Sequence, residues 1–373
     1  MSDDNNVSVK KQDIHDDNQQ EKLVPELRFP EFKDNWKLIR LKNLINNESS
    51  KLSINNLEDN YGNYPLYGAS GFIKNINFYK KEENYIAIVK DGSGVGNSFI
   101  YNGKSSVVGT MQYLNTINNN DLKFAYYLLQ TLNLEKYKIG SSIPHIYFKD
   151  YSKEKIYLPS INEQKEISNF LSLIDKKIEL LEKSLILNEQ TLKYYSQILL
   201  KDIEYNYYNE YKIKDILINQ SSNLRINELN ENNGIYPLYG ANGFLKNINF
   251  CEQKQDYIAI VKDGSSVGNL FLFNKNSSIV GTMEYLIPKN GFNIFYIYYL
   301  LKTINLNKYK IGSSIPHIYF KDYSKEKVKI PSLNTQMNIG TLLNNIKIKS
   351  NIINTKIKYL KNFKNGLMQK MFI

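Results

Sequence analysis

Seventeen residues, "IGSSIPHIYFKDYSKEK", stand at Ile139–Lys155 and again, letter for letter, at Ile311–Lys327. The echo extends well beyond them. "YPLYGASGFIKNINF" (Tyr64–Phe78) returns as "YPLYGANGFLKNINF" (Tyr236–Phe250), and "YIAIVKDGSGVGN" (Tyr85–Asn97) returns as "YIAIVKDGSSVGN" (Tyr257–Asn269). "VVGTMQYL" (Val107–Leu114) returns as "IVGTMEYL" (Ile279–Leu286). Every pair is offset equally, His317 lying 172 positions after His145, so the copies align without a gap. The match runs on into "LPSINEQ" (Leu158–Gln164) and "IPSLNTQ" (Ile330–Gln336), and more weakly back to Leu41 and Ile213. So long a period rules out a solenoid, whose units are about 20–45 residues. The chain is a tandem duplication of one complete unit, and its 373 residues suffice for two cores.

Each unit reads as a mixed α+β domain followed by a long helix. "YIAIVK" and "FIYN" in the first copy, and "YIAIVK" and "LFLF" in the second, are short apolar runs bounded by Gly, Asn and Ser, the mark of strands between turns. "LKFAYYLLQTLNL" and "IFYIYYLLKTINL" each fit one short, mostly buried helix. The expected organisation is a polar, disordered tail over 1–24, globular domains over 25–160 and 206–332, and helices over 161–205 and 333–373.

The helices carry heptads. Ile167, Ile174 and Leu181 form one seam, and Leu171, Ile178 and Leu185, continued by Leu192 and Leu199, form its neighbour. The second helix offers Ile339, Ile346, Ile353, Leu360 and Leu367, flanked by Leu343 and Ile357. Two interleaved seams over several heptads point to a coiled coil. Asn188 stands at a seam position, and Ser350 and Lys364 interrupt the second helix, as residues that set register or partner do. At 1.5 Å rise per residue each helix is roughly 60 Å long. Antiparallel pairing of the two would give the chain pseudo-twofold symmetry, suited to a long ligand of the same symmetry such as B-form DNA.

The formal net charge of +11 favours polyanionic partners, nucleic acid or an acidic membrane face, although a lysine-solubilised surface has the same balance. The first 21 residues are acidic and polar, with no apolar core of a secretory signal, and no apolar run approaches a membrane span. A single cysteine, Cys251, allows no internal disulfide and no Cys-based zinc site. A cytoplasmic protein is expected.

Marks of chemistry are missing. There is no G-x-x-x-x-G-K-[ST] phosphate loop, no H-E-x-x-H, and no N-P-P-[YF] or D-P-P-[YF] run. "KDGSGVG" (Lys90–Gly96) invites comparison with a phosphate cradle, but the second copy replaces its middle glycine with Ser266. A turn whose glycines take positive φ, letting Lys90 or Lys262 approach a phosphate, fits better. His145 and His317 follow Ile-Pro in each copy; a general base needs a nucleophile and an orienting carboxylate, and the sequence names neither. No catalytic residue and no metal ligand is assigned.

Four stretches resemble the specificity (S) subunits of bacterial type I restriction–modification systems. "VPELRFPEFKDNWKLIRLKNL" (Val24–Leu44) is similar to the family's opening, and "LPSINEQKEISNFLSLIDKKIELLEKSL" (Leu158–Leu185) to its central region. "GSSIPHIYFKDY" is similar to the segment closing each target-recognition domain, and "LKNFKNGLMQKMF" (Leu360–Phe372) to the final helix. The resemblance implies a non-catalytic subunit whose two recognition domains each read half of a bipartite site on double-stranded DNA. It implies partners as well: two methyltransferase (M) subunits docked on the helices, which methylate adenine with S-adenosylmethionine, and two restriction (R) subunits that use ATP and Mg. No cofactor is expected in this chain itself. A methylation-only or type IIB-like system is the alternative. Because the copies are near identical, an inverted repeat, close to a spaced palindrome, is the expected site. An enzyme acting alone and a scaffold with no nucleic-acid role are the competing classes.

On this reading the DNA face of the first copy comprises Tyr67, Ser70, Lys74, Lys90, Ser93, Gln112, Ser141, Ser142, His145, Tyr147 and Lys149. That of the second comprises Tyr239, Asn242, Lys246, Lys262, Ser265, Glu284, Ser313, Ser314, His317, Tyr319 and Lys321. The repeated loop faces DNA or docks its domain against the helices. Ser70/Asn242, Gly94/Ser266, Ser98/Leu270 and Gln112/Glu284 are where specificity could diverge, the last first, since Gln suits adenine and Glu suits cytosine.

Overall fold

A computed structural model describes residues 24–57, 59–202, 208–229 and 233–373. The expected tail over 1–24, apart from its last residue, and the end of the expected central helix lie outside the described residues. The chain divides into two compact units. One joins the residues up to Ile178 with Tyr359–Ile373, and the other is Glu179–Lys358. The units therefore do not end where the long helices begin; each takes part of both.

In the first unit the strands are β1 (Lys37–Arg40), β2 (Ile45–Ser49), β3 (Tyr64–Gly68), β4 (Gly71–Ile76), β5 (Tyr85–Val89), β6 (Ser98–Tyr101), β7 (Ser106–Val107) and β8 (Met111–Thr116). Helices α1 (Leu122–Thr131) and α2 (Phe148–Tyr151), strand β9 (Lys155–Leu158) and helix α3 (Ile161–Gln197) follow. A four-stranded antiparallel sheet runs β2-β8-β5-β6, a three-stranded sheet runs β4-β3-β7, and β1 pairs with β9. The apolar run "YIAIV" is buried throughout because β5 is covered on both faces. Ile86 and Ile88 enter one core with Trp36, Phe124 and the helices, while Tyr85, Ala87 and Val89 enter another with Val107 and Met111. Asp121 caps α1 by accepting from Phe124 N at 2.7 Å.

The second unit repeats the plan with β10 (Tyr208–Lys212), α4 (Ile213–Ile216), β11 (Leu217–Ser221), β12 (Tyr236–Gly240), β13 (Gly243–Ile248), β14 (Tyr257–Val261), β15 (Leu270–Phe273), β16 (Ser278–Ile279) and β17 (Met283–Pro288). Helices α5 (Ile294–Thr303) and α6 (Phe320–Tyr323), strand β18 (Lys327–Pro331) and helix α7 (Leu333–Met371) complete it. Its sheets run β11-β17-β14-β15, β13-β12-β16 and β10-β18. The fold class is α+β.

The long helices pair antiparallel within each unit. In the first, Ile167 and Leu171 of α3 share a core with Met368 and Met371 of α7, and Lys364 donates to Asp175 at 2.7 Å. In the second, Leu192 and Leu199 pack with Ile339 and Leu343, and Asn188 Nδ2 donates to Ile346 O at 2.8 Å and Ser350 Oγ at 2.7 Å. Of the seam residues, Ile167, Leu171, Ile178, Ile339, Leu343, Ile353 and Ile357 are buried, and Ile174, Leu181, Leu185, Ile346 and Leu360 are half-buried. Past Gln197, α3 continues as a π-helical turn over Ile198–Asp202. Among the described residues no helix is long and apolar enough to cross a membrane.

Buried amides tie each helix to its sheet domain. Gln164 accepts from Asp121 N at 3.0 Å and donates to Pro159 O at 3.0 Å, and Gln336 repeats this with Asn293 N at 2.9 Å and Pro331 O at 3.0 Å. The first unit adds a clamp. Glu163, 1% exposed, accepts from Arg28 at 2.7 and 2.8 Å and from Trp36 Nε1 at 3.1 Å. The second copy carries Leu200, Tyr208 and Thr335 at the corresponding positions. Substituting Glu163→Ala strands the half-buried guanidinium, and a loss of about 3 kcal/mol in urea unfolding is expected. Thr335→Ala should change stability by less than about 1 kcal/mol.

Candidate nucleic-acid interface

The two repeated motifs, separate in sequence, form one structure. At the end of β5 the chain turns sharply: Lys90 N and Asp91 N both donate to Thr110 O, at 2.9 and 3.2 Å, and Gly92, Gly94 and Gly96 all take positive φ. In the second copy Ser266 is not among the residues with positive φ, whereas Gly264 and Gly268 are. The turn tolerates a side chain there by leaving the left-handed region.

The loop after Tyr137 closes on itself through two bonds exchanged between Ile139 and His145, at 2.9 and 2.8 Å. Gly140, at φ +89°, is required: a Cβ would lie 2.8 Å from Ile143 O. This closed loop then docks on the glycine turn. Gly92 N donates to Pro144 O at 2.8 Å, and Ile146 N donates to Lys90 O at 2.9 Å. At the junction His145 Nδ1 lies 2.7 Å from Asp91 Oδ1, and Lys90 Nζ lies 2.9 Å from Asp91 Oδ2. The second copy is the same at the histidine: His317 Nδ1 lies 2.6 Å from Asp263 Oδ1, and Gly264 N donates to Pro316 O at 2.9 Å.

Partial burial would raise the Asp91 carboxyl, but hydrogen bonds from His145 and Lys90 outweigh it and hold the group below its ordinary value. An ionised carboxylate only accepts, so Nδ1 of His145 carries a proton and Nε2 is left for an outside partner. Ser93 of the glycine turn, and Ser141, Ser142, Tyr147 and Lys149 in and just after the loop, are exposed, as are Ser265, Ser313, Ser314, Tyr319 and Lys321 in the second unit. Lys149 and Lys321 lie over the rings of Tyr147 and Tyr319, at 5.4 and 5.3 Å.

Other candidates are held elsewhere. Tyr67 stacks on Tyr101 at 4.0 Å and Tyr239 on Phe273 at 4.1 Å, both against the core between the three-stranded and four-stranded sheets of their unit. Lys74 and Lys246 donate to the carbonyls of Leu57 and Leu229, at 2.8 and 2.7 Å, so these ammonium groups brace a turn rather than await a phosphate. Ser70 and Asn242 are exposed at the β3–β4 and β12–β13 turns. Gln112 is 7% exposed, and Glu284 accepts from Asn219 at 2.8 Å and Ser221 at 3.3 Å. Neither presents a free edge to a base, which corrects the direct reading by this pair. Asp91 and Asp263 were absent from the sequence-derived face; "KDG" in both copies is the one signal that marks them.

A second surface lies on the helices. In the second unit Leu180, Leu187 and Tyr194 of α3 are 54%, 64% and 61% exposed at heptad spacing, away from the seam, and Ile348 and Ile352 of α7 are exposed too. In the first unit Leu173, Tyr359 and Phe363 are exposed. Among the described residues no group of three or more His, Cys, Asp or Glu side chains could hold a metal ion.

Two segments, residues 33–189 and 206–362, match the family model of the type I restriction modification DNA specificity domain. The chain belongs to the type I restriction–modification specificity-subunit family. It has two target-recognition domains, the two duplicated units. It is 32% identical over 118 residues to the specificity subunit of the type I restriction enzyme MjaVIII of Methanocaldococcus jannaschii, covering 31% of this chain and 28% of that protein. It is 25% identical over 132 residues to that of EcoprrI of Escherichia coli, covering 34% of this chain and 31% of the relative. The chain thus matches less than a third of these relatives' length. The crystal structure of the type I system S subunit from M. genitalium shares the fold, with a TM-score of 0.78 at 21% identity, covering 94% of this specificity subunit and 99% of that one.

The lowered Asp91 gives a pH signature. A group depressed in the folded state stabilises fully above about pH 5 and loses that contribution as the pH falls through its lowered value. Asp91→Ala should cost about 1–2 kcal/mol at neutral pH in urea unfolding, and the difference from the unsubstituted protein should shrink toward pH 3. A difference independent of pH would contradict the ionised pair.

Proposed function

We propose that this specificity subunit reads DNA for a type I restriction–modification complex. Each unit holds one half of a bipartite, near-palindromic site, and partner subunits perform the chemistry. The observation that carries this reading is the Asp–His junction, built twice with the same loop docked on the same glycine turn. An imidazole fixed through Nδ1 and partly exposed, with exposed serines and a lysine on the same loop and turn, meets the demands of a duplex. Where Nε2 carries no proton it accepts from an amino group of adenine or cytosine, and the hydroxyls and Lys149 or Lys321 take phosphate oxygens. The duplication supports two such faces reading inverted sequences.

The exposed apolar positions on α3 and α7 are the docking face for two methyltransferase subunits, which bring S-adenosylmethionine and methylate adenine. Restriction subunits add ATP- and Mg-dependent cleavage of unmodified DNA. The complex works in the bacterial cytoplasm, where its DNA lies.

Two experiments test this. In the assembled complex, His145→Ala and His317→Ala together should weaken binding to the specific duplex about tenfold or more, while binding to scrambled duplex changes little. Affinity for either duplex should fall steeply with salt. Equal losses on both duplexes would make the histidines structural. For the docking face, Leu187→Glu should abolish co-purification of the methyltransferase subunits while leaving the melting temperature of the isolated chain within a few degrees. Unchanged co-purification would remove that surface.

A further inference from the structure

The loop Ile139–Lys155 is identical to its copy, so nothing in it can tell one half-site from the other. The difference lies beside it. Gln112 of β8 and Glu284 of β17 correspond, and each pairs with an isoleucine, Ile88 or Ile260, two residues before Lys90 or Lys262. Their neighbours across the next strand are the same in both copies: Asn47 and Ser49 on β2, Asn219 and Ser221 on β11. The amide and the carboxylate nonetheless organise these neighbours differently.

In the first unit the Gln112 amide oxygen is buried with no hydrogen-bond partner among the described residues, and Lys90 Nζ sits 2.9 Å from Asp91. In the second unit Glu284 holds Asn219 and Ser221, and Lys262 Nζ lies 3.9 Å from the Glu284 carboxylate. The histidine–aspartate pairs differ by only 0.1 Å, 2.7 against 2.6 Å, so the scaffold is constant while the lysine changes acceptor. Lys262 lines a cleft of about 830 Å³ with Asn223, Arg225 and Thr282. The first copy has Lys51 and Ser53 where the second has Asn223 and Arg225.

We infer that Gln112 and Glu284 are positioning residues for specificity, acting through Lys90 and Lys262, and that the two half-sites differ at the base pair these lysines face. This rests on the DNA-reading function proposed above. One donor of the Lys90 ammonium is taken by Asp91, and the others are directed to an acceptor edge, guanine N7 and O6. In the second unit the added carboxylate draws the lysine back and makes the surroundings more negative. That position takes a base presenting an amino group, cytosine or adenine. Glu284→Gln is expected to fold, because the same neighbours already hold glutamine at position 112.

The test uses the full complex with its methyltransferase subunits and maps methylated adenines across host DNA. For the unsubstituted complex, the half-sites should match on inversion except at one base pair. Glu284→Gln should convert the second half-site to the first, giving a complete palindrome, with about a tenfold preference for the new base over the old. Gln112→Glu should do the reverse. Half-sites already identical in the unsubstituted complex would overturn the inference, as would variants that methylate the same sequence less. A complex that methylates no bipartite motif at all would instead remove the DNA-reading function on which the inference stands.

Discussion

The polar layer in the helix seam is the constraint on which the rest depends. Asn188 gives both its amide hydrogens across the seam, to Ile346 O and Ser350 Oγ, at a level where Ser350 is 2% exposed. Sliding α7 by one heptad would put Leu343 or Ile357 where Ser350 stands and leave one amide donor without its hydroxyl partner, at about 1–3 kcal/mol. Apolar seams alone tolerate such slips. Register in turn sets where Gln336 and the first turns of α7 meet α5, and Gly340 shows how closely: a Cβ there would lie 2.6 Å from both Asn293 Oδ1 and Tyr296 N.

From this frame the candidate interface inherits rigidity that a surface loop would otherwise lack. The Ile139–His145 loop makes backbone bonds to itself and to the glycine turn, and its histidine is held at the second nitrogen by a carboxylate. A surface fixed in this way gives up little side-chain freedom when it meets a ligand, so in the proposed role more of each contact's energy would discriminate between sequences. The exposed isoleucines at the loop tip, Ile143 and Ile315, both 61% exposed, stand beside the polar groups and complete a mixed surface.

Much of this was legible in the residues themselves. A gapless duplication required two like folds, alternation and punctuation marked the strands, and the heptads located the seam, down to Asn188. What stayed hidden depends on pairing between distant positions. Asp91 meets His145 across 54 residues only because the glycine turn and the closed loop share an edge, and no local pattern announces it. Gln112 reads as a polar surface residue, yet its strand lies inside a sheet covered on both faces. Lys74 looks like a phosphate ligand until its ammonium is seen to cap Leu57 O. The clamp of Arg28, Trp36 and Glu163 was invisible for the same reason, three residues brought together from two ends of a domain. Helix faces were half legible: the seam stood out, while Leu180, Leu187 and Tyr194 became recognisable as a separate row only once the seam was known to leave them uncovered.

The central claim is that two copies of one reader grip a single duplex. Hydroxyl-radical footprinting of the assembled complex on its own recognition site tests it most directly. Two protected tracts separated by an accessible spacer, each lost on scrambling its own half-site, is the expected result. One unbroken tract, or protection indifferent to sequence, would contradict the account.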